Sequence, residues 1–255
     1  MFSIAVINQK GGVAKTTTAL NLGAEFARKG KKVLLIDLDA QFSATSAVFG
    51  NREFETTIYD VIVTKTDINK AIVNGPDYGF DMVPSDLMLS AVDLSIASTI
   101  GREKILFNQI KNLTYDIIIM DCPPSLGLVT VNALTACREV IVTVCPEYFS
   151  LRGIKLLEKI LTDVEEQMTA QPLRKGVLVT RYRERVVTRE AEQAIRKYFT
   201  SSHSRVFNTV IPENIKIEES HNAHLPIFKY DPDCSGSIAY HNFCEEVVEW
   251  LEEKT

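Results

Sequence analysis

Residues 2–8 form an apolar run, F-S-I-A-V-I-N, which gives way at 8–17 to the glycine- and lysine-rich segment N-Q-K-G-G-V-A-K-T-T. A helical pattern then carries apolar Leu20, Leu22, Ala24, Phe26 and Ala27 through residues 17–29, and a second apolar run, K-V-L-L-I-D, closes the unit at 32–37. Strand, glycine loop, helix and strand in so short a stretch imply a βαβ unit. Further short apolar runs at 80–83, 116–120, 140–144, 176–179 and 206–210 are mostly continuous Val, Ile, Leu and Met rather than alternating with polar residues. Strands buried on both faces read this way, so the expectation is an α/β fold with a mostly parallel twisted sheet and helices on both faces. Helical patterns at 154–168, 189–199 and 243–253 supply some of the covering layers. No composition break or repeat divides the chain, so one domain over residues 1–255 is expected.

A glycine loop between a strand and a helix turns successive backbone N–H groups towards one point, where the positive end of the helix dipole adds to them. Gly11 and Gly12 permit close approach, Lys15 reaches β- and γ-phosphates, and the Thr16 hydroxyl is placed to ligate Mg²⁺. The strict pattern G-x-x-x-x-G-K-[ST] fails here, because Gln9 and Ala14 stand where its two glycines belong; K-G-G-x-x-K-[ST], with an additional Lys10, fits instead. I-D-L-D-A-Q at 36–41 ends the second strand, and Asp37 and Asp39, two residues apart, point to one side of it. Asp39 lies further out of the sheet and is the candidate for holding an attacking water; the bland alternative is that both carboxylates cap the next helix. I-I-I-M-D-C-P-P-S at 117–125 is an apolar strand ending in Asp121, a support for Mg²⁺ and its water shell.

The net charge of −5 gives no global attraction to polyanions, so any nucleic-acid contact must be local. Residues 174–205 hold nine basic against three acidic residues, leaving the remainder of the chain at −11. Arg181, Arg183, Arg185, Arg189, Arg196 and Lys197 are the candidate DNA contacts in that segment, with two alternatives open: arginines paired to the local glutamates, or Arg181 and Arg183 near a purine, since they follow a strand end. The glutamate-rich residues after Cys244 argue against a basic amphipathic membrane helix. Five cysteines without a C-x-x-C pair point to buried thiols in a reducing compartment, and the four histidines to surface or packing roles. The first residues lack the features of a signal peptide, so a cytoplasmic protein is expected.

In combination N-Q-K-G-G-V-A-K-T-T, D-L-D-A-Q, D-C-P-P-S-L, P-E-Y-F-S-L-R-G at 146–153 and V-I-P-E-N at 210–214 resemble the ParA/Soj branch of the deviant Walker A (MinD/ParA) ATPases, across essentially the whole chain. The resemblance implies a single-domain P-loop NTPase fold that takes ATP and Mg²⁺ and hydrolyses ATP weakly until an adaptor stimulates it. It also implies an ATP-dependent homodimer, non-specific DNA binding, a ParB-like adaptor and a nucleoid-associated location, with plasmid, chromosome or organelle as cargo. Carried over by position, Lys10 reaches the partner subunit's nucleotide, Lys15 is the loop lysine, and Gly11, Gly12, Val13, Ala14, Thr16 and Thr17 complete the phosphate cradle. Asp39 positions water, Thr16 and Asp121 serve Mg²⁺, and Pro212 and Asn214 belong to the adenine pocket. Ala14 departs from the commoner Gly of that family, which puts nucleotide affinity in question if the position needs φ > 0. MinD-like membrane positioning and a metabolic or iron–sulfur-carrier role are the alternatives within the same superfamily.

Overall fold

The computed structural model describes residues 1–148, 151–169, 172–202 and 204–253. In chain order it has β1 (Phe2–Ile7), α1 (Lys15–Arg28), β2 (Val33–Asp37), α2 (Ser43–Phe49), α3 (Ile58–Val63), β3 (Val73–Gly75), β4 (Phe80–Val83) and α4 (Val92–Ser95). Then come α5 (Ile105–Ile110), β5 (Ile117–Asp121), α6 (Leu128–Ala136), β6 (Glu139–Val144), α7 (Leu151–Gln167), β7 (Arg174–Tyr182), α8 (Val186–Ser201), β8 (Arg205–Pro212), α9 (Ile215–Asn222), α10 (Ile227–Tyr230) and α11 (Ser235–Glu252).

The strands form one sheet in the order β3-β4-β2-β5-β1-β6-β7-β8, parallel throughout except for β3, which pairs antiparallel with β4. Alternate residues of the central strands feed two cores. Ala5, Ile7, Leu34, Ile36, Ile118, Met120, Val140 and Val142 pack on one face beneath α3, α5, α6, α7 and α8. Ile4, Val6, Val33, Leu35, Ile117, Ile119 and Ile141 pack on the other beneath α1, α2 and α11. Burial on both sides explains the unbroken apolar runs.

The sheet reverses its winding direction at β1, with β5 and β2 to one side and β6 to the other. A crevice beyond the carboxyl ends of the strands forms at such a switch point. The parallel register sets Val6 and Asp37 both beside Asp121, so β1, β2 and β5 end together at that crevice.

The exposed edge of the sheet is managed by α11. The Glu246 carboxylate accepts from both the Asn208 and Thr209 backbone N–H groups of β8, each at 2.6 Å, satisfying donors that a bare edge strand would offer to another chain. Trp250 and Phe243 of α11 meet Phe207 edge-on at ring-centroid distances of 5.6 and 5.0 Å.

Candidate functional site

The phosphate loop occupies the gap between β1 and α1, and its neighbours set its shape. Asn8 Nδ2 donates to the Thr143 carbonyl of β6 at 2.6 Å, while Asn8 Oδ1 accepts from the Lys10 N–H at 3.0 Å, which turns the chain as it leaves the strand. Gly12 has φ 71° and Ala14 φ 60°, both left-handed. Glycine takes that conformation without cost; alanine does not. Ala14 is also the residue that caps α1, and it offers no side-chain acceptor to the first turn, which carries no acidic residue either. The first-turn N–H groups of α1 therefore lack a protein acceptor, the condition under which a helix start takes up an anion. Lys15, almost fully buried, donates from Nζ to the Lys10 carbonyl at 3.1 Å. Burial lowers its pKa, opposed by the Asp121 and Asp39 carboxylates.

Three carboxylates gather at the strand ends opposite the loop. Asp37 is fully buried and acts as an anchor: Thr45 donates to its Oδ2 from both N–H (2.9 Å) and hydroxyl (2.7 Å), and the Asp39 N–H donates to Oδ1 at 3.1 Å. Burial, only partly offset by these donors, pushes the Asp37 pKa up to about 6. Asp39 faces the cavity, and its Oδ1 accepts from the Gln41 N–H at 3.0 Å. Both carboxylate oxygens of Asp121 are buried and short of close hydrogen-bond partners; burial followed by repulsion from Asp37 raises its pKa well above the ordinary carboxylate value, opposed only in part by the Thr16 hydroxyl and the Lys15 charge. Orphaned acceptors of this kind suit a cation or its water shell. Among the described residues no group of three or more His, Cys, Asp and Glu could hold a metal ion unaided. A divalent ion here would rely on Thr16, Asp121, water and the phosphates of a ligand, which is the way Mg²⁺ is held in phosphoryl-transfer sites.

The loop and Asp39 form one side of a cavity of about 440 Å³, a volume in the range of nucleotide-sized ligands. Gly11, Gly12, Ala14, Lys15, Thr16 and Thr17 line it, facing Arg181, Pro212, Asn214 and one face of α9. Val13, expected in the cradle, is not among the residues lining the cavity: its side chain is buried and its carbonyl accepts from the Thr180 hydroxyl at 3.0 Å. Lys10 lies at the exposed start of the loop. Asn214 lines the cavity while capping α9: its Oδ1 accepts from the Lys216 N–H at 2.8 Å and its Nδ2 donates to the Ser235 hydroxyl at 2.9 Å. Asn8, Thr45, Thr180 and Glu213, none of them singled out from the sequence, complete the framework. Thr180 lies directly after the apolar run at 176–179, so the rule that ligands meet the carboxyl ends of strands pointed to it.

The basic segment differs from the expected positive face. Arg181 Nη1 donates to the Gly12 carbonyl at 3.1 Å and Nη2 to Glu213 at 2.9 Å, so this side chain belongs to the cavity wall. Arg196 pairs with Glu192 and donates to the carbonyls of Phe207 (2.9 Å) and Asn208 (3.2 Å), which makes it a brace between α8 and β8. Arg183 pairs with Glu213 and lies 3.9 Å from Glu147, Arg185 lies 3.6 Å from Glu147, and Arg189 lies 3.2 Å from Glu184. Glu139, Glu147, Glu165, Glu213 and Glu253, all from outside residues 174–205, pair into the segment and offset most of its excess charge. Lys197 is exposed on α8. Arg183, Arg185, Arg189 and Lys197 thus remain as surface cations, three of them tethered to carboxylates.

His221 lines the cavity from α9, and burial lowers its pKa to about 4; His203 and residues 149 and 150 of the P-E-Y-F-S-L-R-G stretch lie outside the described residues. Cys122, Cys137, Cys145 and Cys244 are buried. No described helix is long and apolar enough to cross a membrane.

A family model described as an AAA domain matches residues 1–174. The Chromosome-partitioning ATPase Soj of Treponema pallidum is 36% identical over 249 residues, covering 96% of each chain. The Sporulation initiation inhibitor protein Soj of Bacillus subtilis is 37% identical over 249 residues, 96% of this chain and 97% of that one. Among solved structures, cobyrinic acid a,c-diamide synthase from Mycobacterium smegmatis with bound ATP analogue and magnesium superposes with a TM-score of 0.86 at 28% identity, covering 100% of this chain and 97% of that one. A deviant phosphate loop facing strand-end carboxylates, in a chain this similar over nearly its full length to the Soj proteins, makes it a member of the ParA/Soj family of partition ATPases.

Proposed function

We propose that the chain is an ATP-dependent dimerising ATPase that binds DNA without sequence preference and positions cargo together with a ParB-like adaptor. The observation that carries the reading is the uncapped start of α1 beside Lys15, lining one cavity with Asp39, with the buried Asp121 carboxylate at the neighbouring strand end. On this reading Gly11 to Thr17 receive the phosphates, Lys15 neutralises charge on the β- and γ-groups, and Pro212 and Asn214 flank the base. Thr16 and Asp121 hold Mg²⁺, which when bound supplies charge neutralisation at the transferred phosphoryl group. Asp39 orients water. It lies at the cavity with its Oδ1 engaged by the Gln41 N–H and orients water without a further group to take its proton, so unassisted turnover is expected to be slow. Lys10, at the rim, is assigned to the nucleotide of a second subunit, where it acts as arginine fingers do elsewhere. Nucleotide then joins two subunits.

DNA contact is assigned to Arg183, Arg185, Arg189 and Lys197. Because Glu147, Glu184 and Glu213 already hold three of these cations, each subunit alone binds weakly, and two copies in one dimer supply the avidity. The protein is accordingly expected on the nucleoid. Fluorescence anisotropy with a random-sequence duplex tests this reading. Affinity should appear with ATP, remain low with ADP or without nucleotide, and fall when Arg183, Arg185 and Arg189 become Glu while ATP binding persists. DNA affinity that is absent in ATP, or the same in all three states, contradicts it.

A further inference from the structure

Two consecutive side chains at the end of β7 reach back to two consecutive carbonyls of the phosphate loop. Thr180 Oγ1 donates to Val13 O at 3.0 Å and Arg181 Nη1 donates to Gly12 O at 3.1 Å. Successive side chains of an extended strand point to opposite faces, so a regular strand could direct only one of the two at the loop. β7 departs from regularity here: its pairing with β8 shifts register between Val179 and Tyr182, and Arg181 takes φ 52°. A left-handed conformation is costly for a long side chain and uncommon outside Gly, Asn and Asp. It brings Arg181 to the side on which Thr180 already lies. The second arm of the guanidinium donates to Glu213 Oε1 at 2.9 Å, and Glu213 follows Pro212 on the opposite wall of the cavity.

A loop receives an anion only if its N–H groups face the ligand, which requires its carbonyls to turn away and find donors elsewhere. Lys15 Nζ satisfies the Lys10 carbonyl, Arg181 that of Gly12 and Thr180 that of Val13. We propose that Arg181 is a positioning residue for nucleotide binding: with Thr180 it holds the Gly12 and Val13 carbonyls outwards, and through Glu213 it fixes the gap between the phosphate loop and the base-side wall. The role rests on the reading of this cavity as a nucleoside triphosphate site, and it removes Arg181 from the set of DNA contacts. The loop is thereby set for its ligand before the ligand arrives, which lowers the ordering cost of binding.

Arg181→Gly separates this role from simple structural support, because glycine adopts φ 52° without strain while losing both guanidinium contacts. The full chain is titrated by displacement of a fluorescent ATP analogue with ATP, ADP or tripolyphosphate, each with Mg²⁺, and thermal unfolding is followed in parallel. The Gly variant, in which relief of backbone strain offsets the lost contacts, should melt close to the parent temperature yet bind all three ligands about tenfold more weakly. Arg181→Lys, able to reach one acceptor but not both, should fall between. Weaker ATP binding with unaltered tripolyphosphate binding would mean that Arg181 meets the base rather than the loop, and would overturn the proposal. So would ligand binding equal to the parent in both variants, or a melting temperature that falls along with affinity. A parent chain that binds none of the three ligands refutes the phosphate-site reading itself, and the role of Arg181 with it.

Discussion

Ala14→Gly probes the local cost of the deviant loop. Ala14 sits at φ 60°, ψ 32°, where an L side chain costs about 1–2 kcal/mol relative to the right-handed region. Glycine removes that strain but gains about 0.4–1 kcal/mol of freedom in the unfolded chain. The difference leaves the variant more stable by roughly 0.5–1 kcal/mol, or about 1–4 °C in melting temperature for a chain of this size. The strained conformation is present in the free loop, so the cost is borne equally with and without ligand, and nucleotide affinity should change less than about threefold. Ala14→Val, with a β-branched side chain at the same φ, should be less stable than the parent. Urea unfolding of the three proteins with equal m-values, together with nucleotide titration, gives both numbers. A glycine variant less stable than the parent would refute the strain argument, and one that binds ATP tenfold better would show that the methyl group obstructs the ligand rather than straining the loop.

Other outcomes follow from individual contacts. His221 is held neutral by burial with a pKa of about 4 against an ordinary 6.5, so the folded state binds fewer protons than the unfolded state between those values; stability present above about pH 6.5 should be lost as pH falls, by up to about 3 kcal/mol near pH 4, and His221→Gln should flatten that slope in urea unfolding at stepped pH. Asp121→Asn removes a buried carboxyl whose ionised form is disfavoured by burial and by Asp37, so the ligand-free protein should gain on the order of 1 kcal/mol in the same assay while Mg²⁺-dependent ATP turnover disappears. Arg196→Ala leaves the Phe207 and Asn208 carbonyls without their donor and should cost on the order of 1–2 kcal/mol, whereas the salt dependence of DNA binding, read by anisotropy, should stay as in the parent.

The central sheet was legible because strands buried on both faces leave continuous apolar runs, and the loop because its glycines and lysines sit at the junction of two periodicities. Boundaries moved by a residue at 116–120, which is β5 at Ile117–Asp121, and by more at 176–179, which is β7 at Arg174–Tyr182. β7 extends past its apolar centre because its polar ends still pair with β6 and β8. α6 escaped detection because Leu128–Ala136 is buried on nearly every side and shows no amphipathic period. α11 begins at Ser235 rather than 243 because Cys234 caps it, its sulfur accepting from the Ser237 N–H, and cysteine is outside the usual set of cap residues. β3, three residues ending in glycine, carries no pattern at all. At the site, motif residues within one segment were readable, but Thr180, Arg181 and Glu213 become partners of the loop only through the order of strands, which spacing does not encode. The same limit applies to charge: the nine basic residues of 174–205 were countable, their pairing with Glu139, Glu147, Glu165, Glu213 and Glu253 was not.

Phosphate release from Mg²⁺-ATP, measured beside equilibrium ATP binding for the parent, Asp39→Ala and Lys15→Ala, tests the assigned chemistry most directly. The parent should hydrolyse ATP slowly, Asp39→Ala should bind ATP as the parent does yet release no phosphate, and Lys15→Ala should lose binding. Turnover by Asp39→Ala at the parent rate, or ATP binding undiminished in Lys15→Ala, would contradict the account of how this cavity holds and hydrolyses its nucleotide.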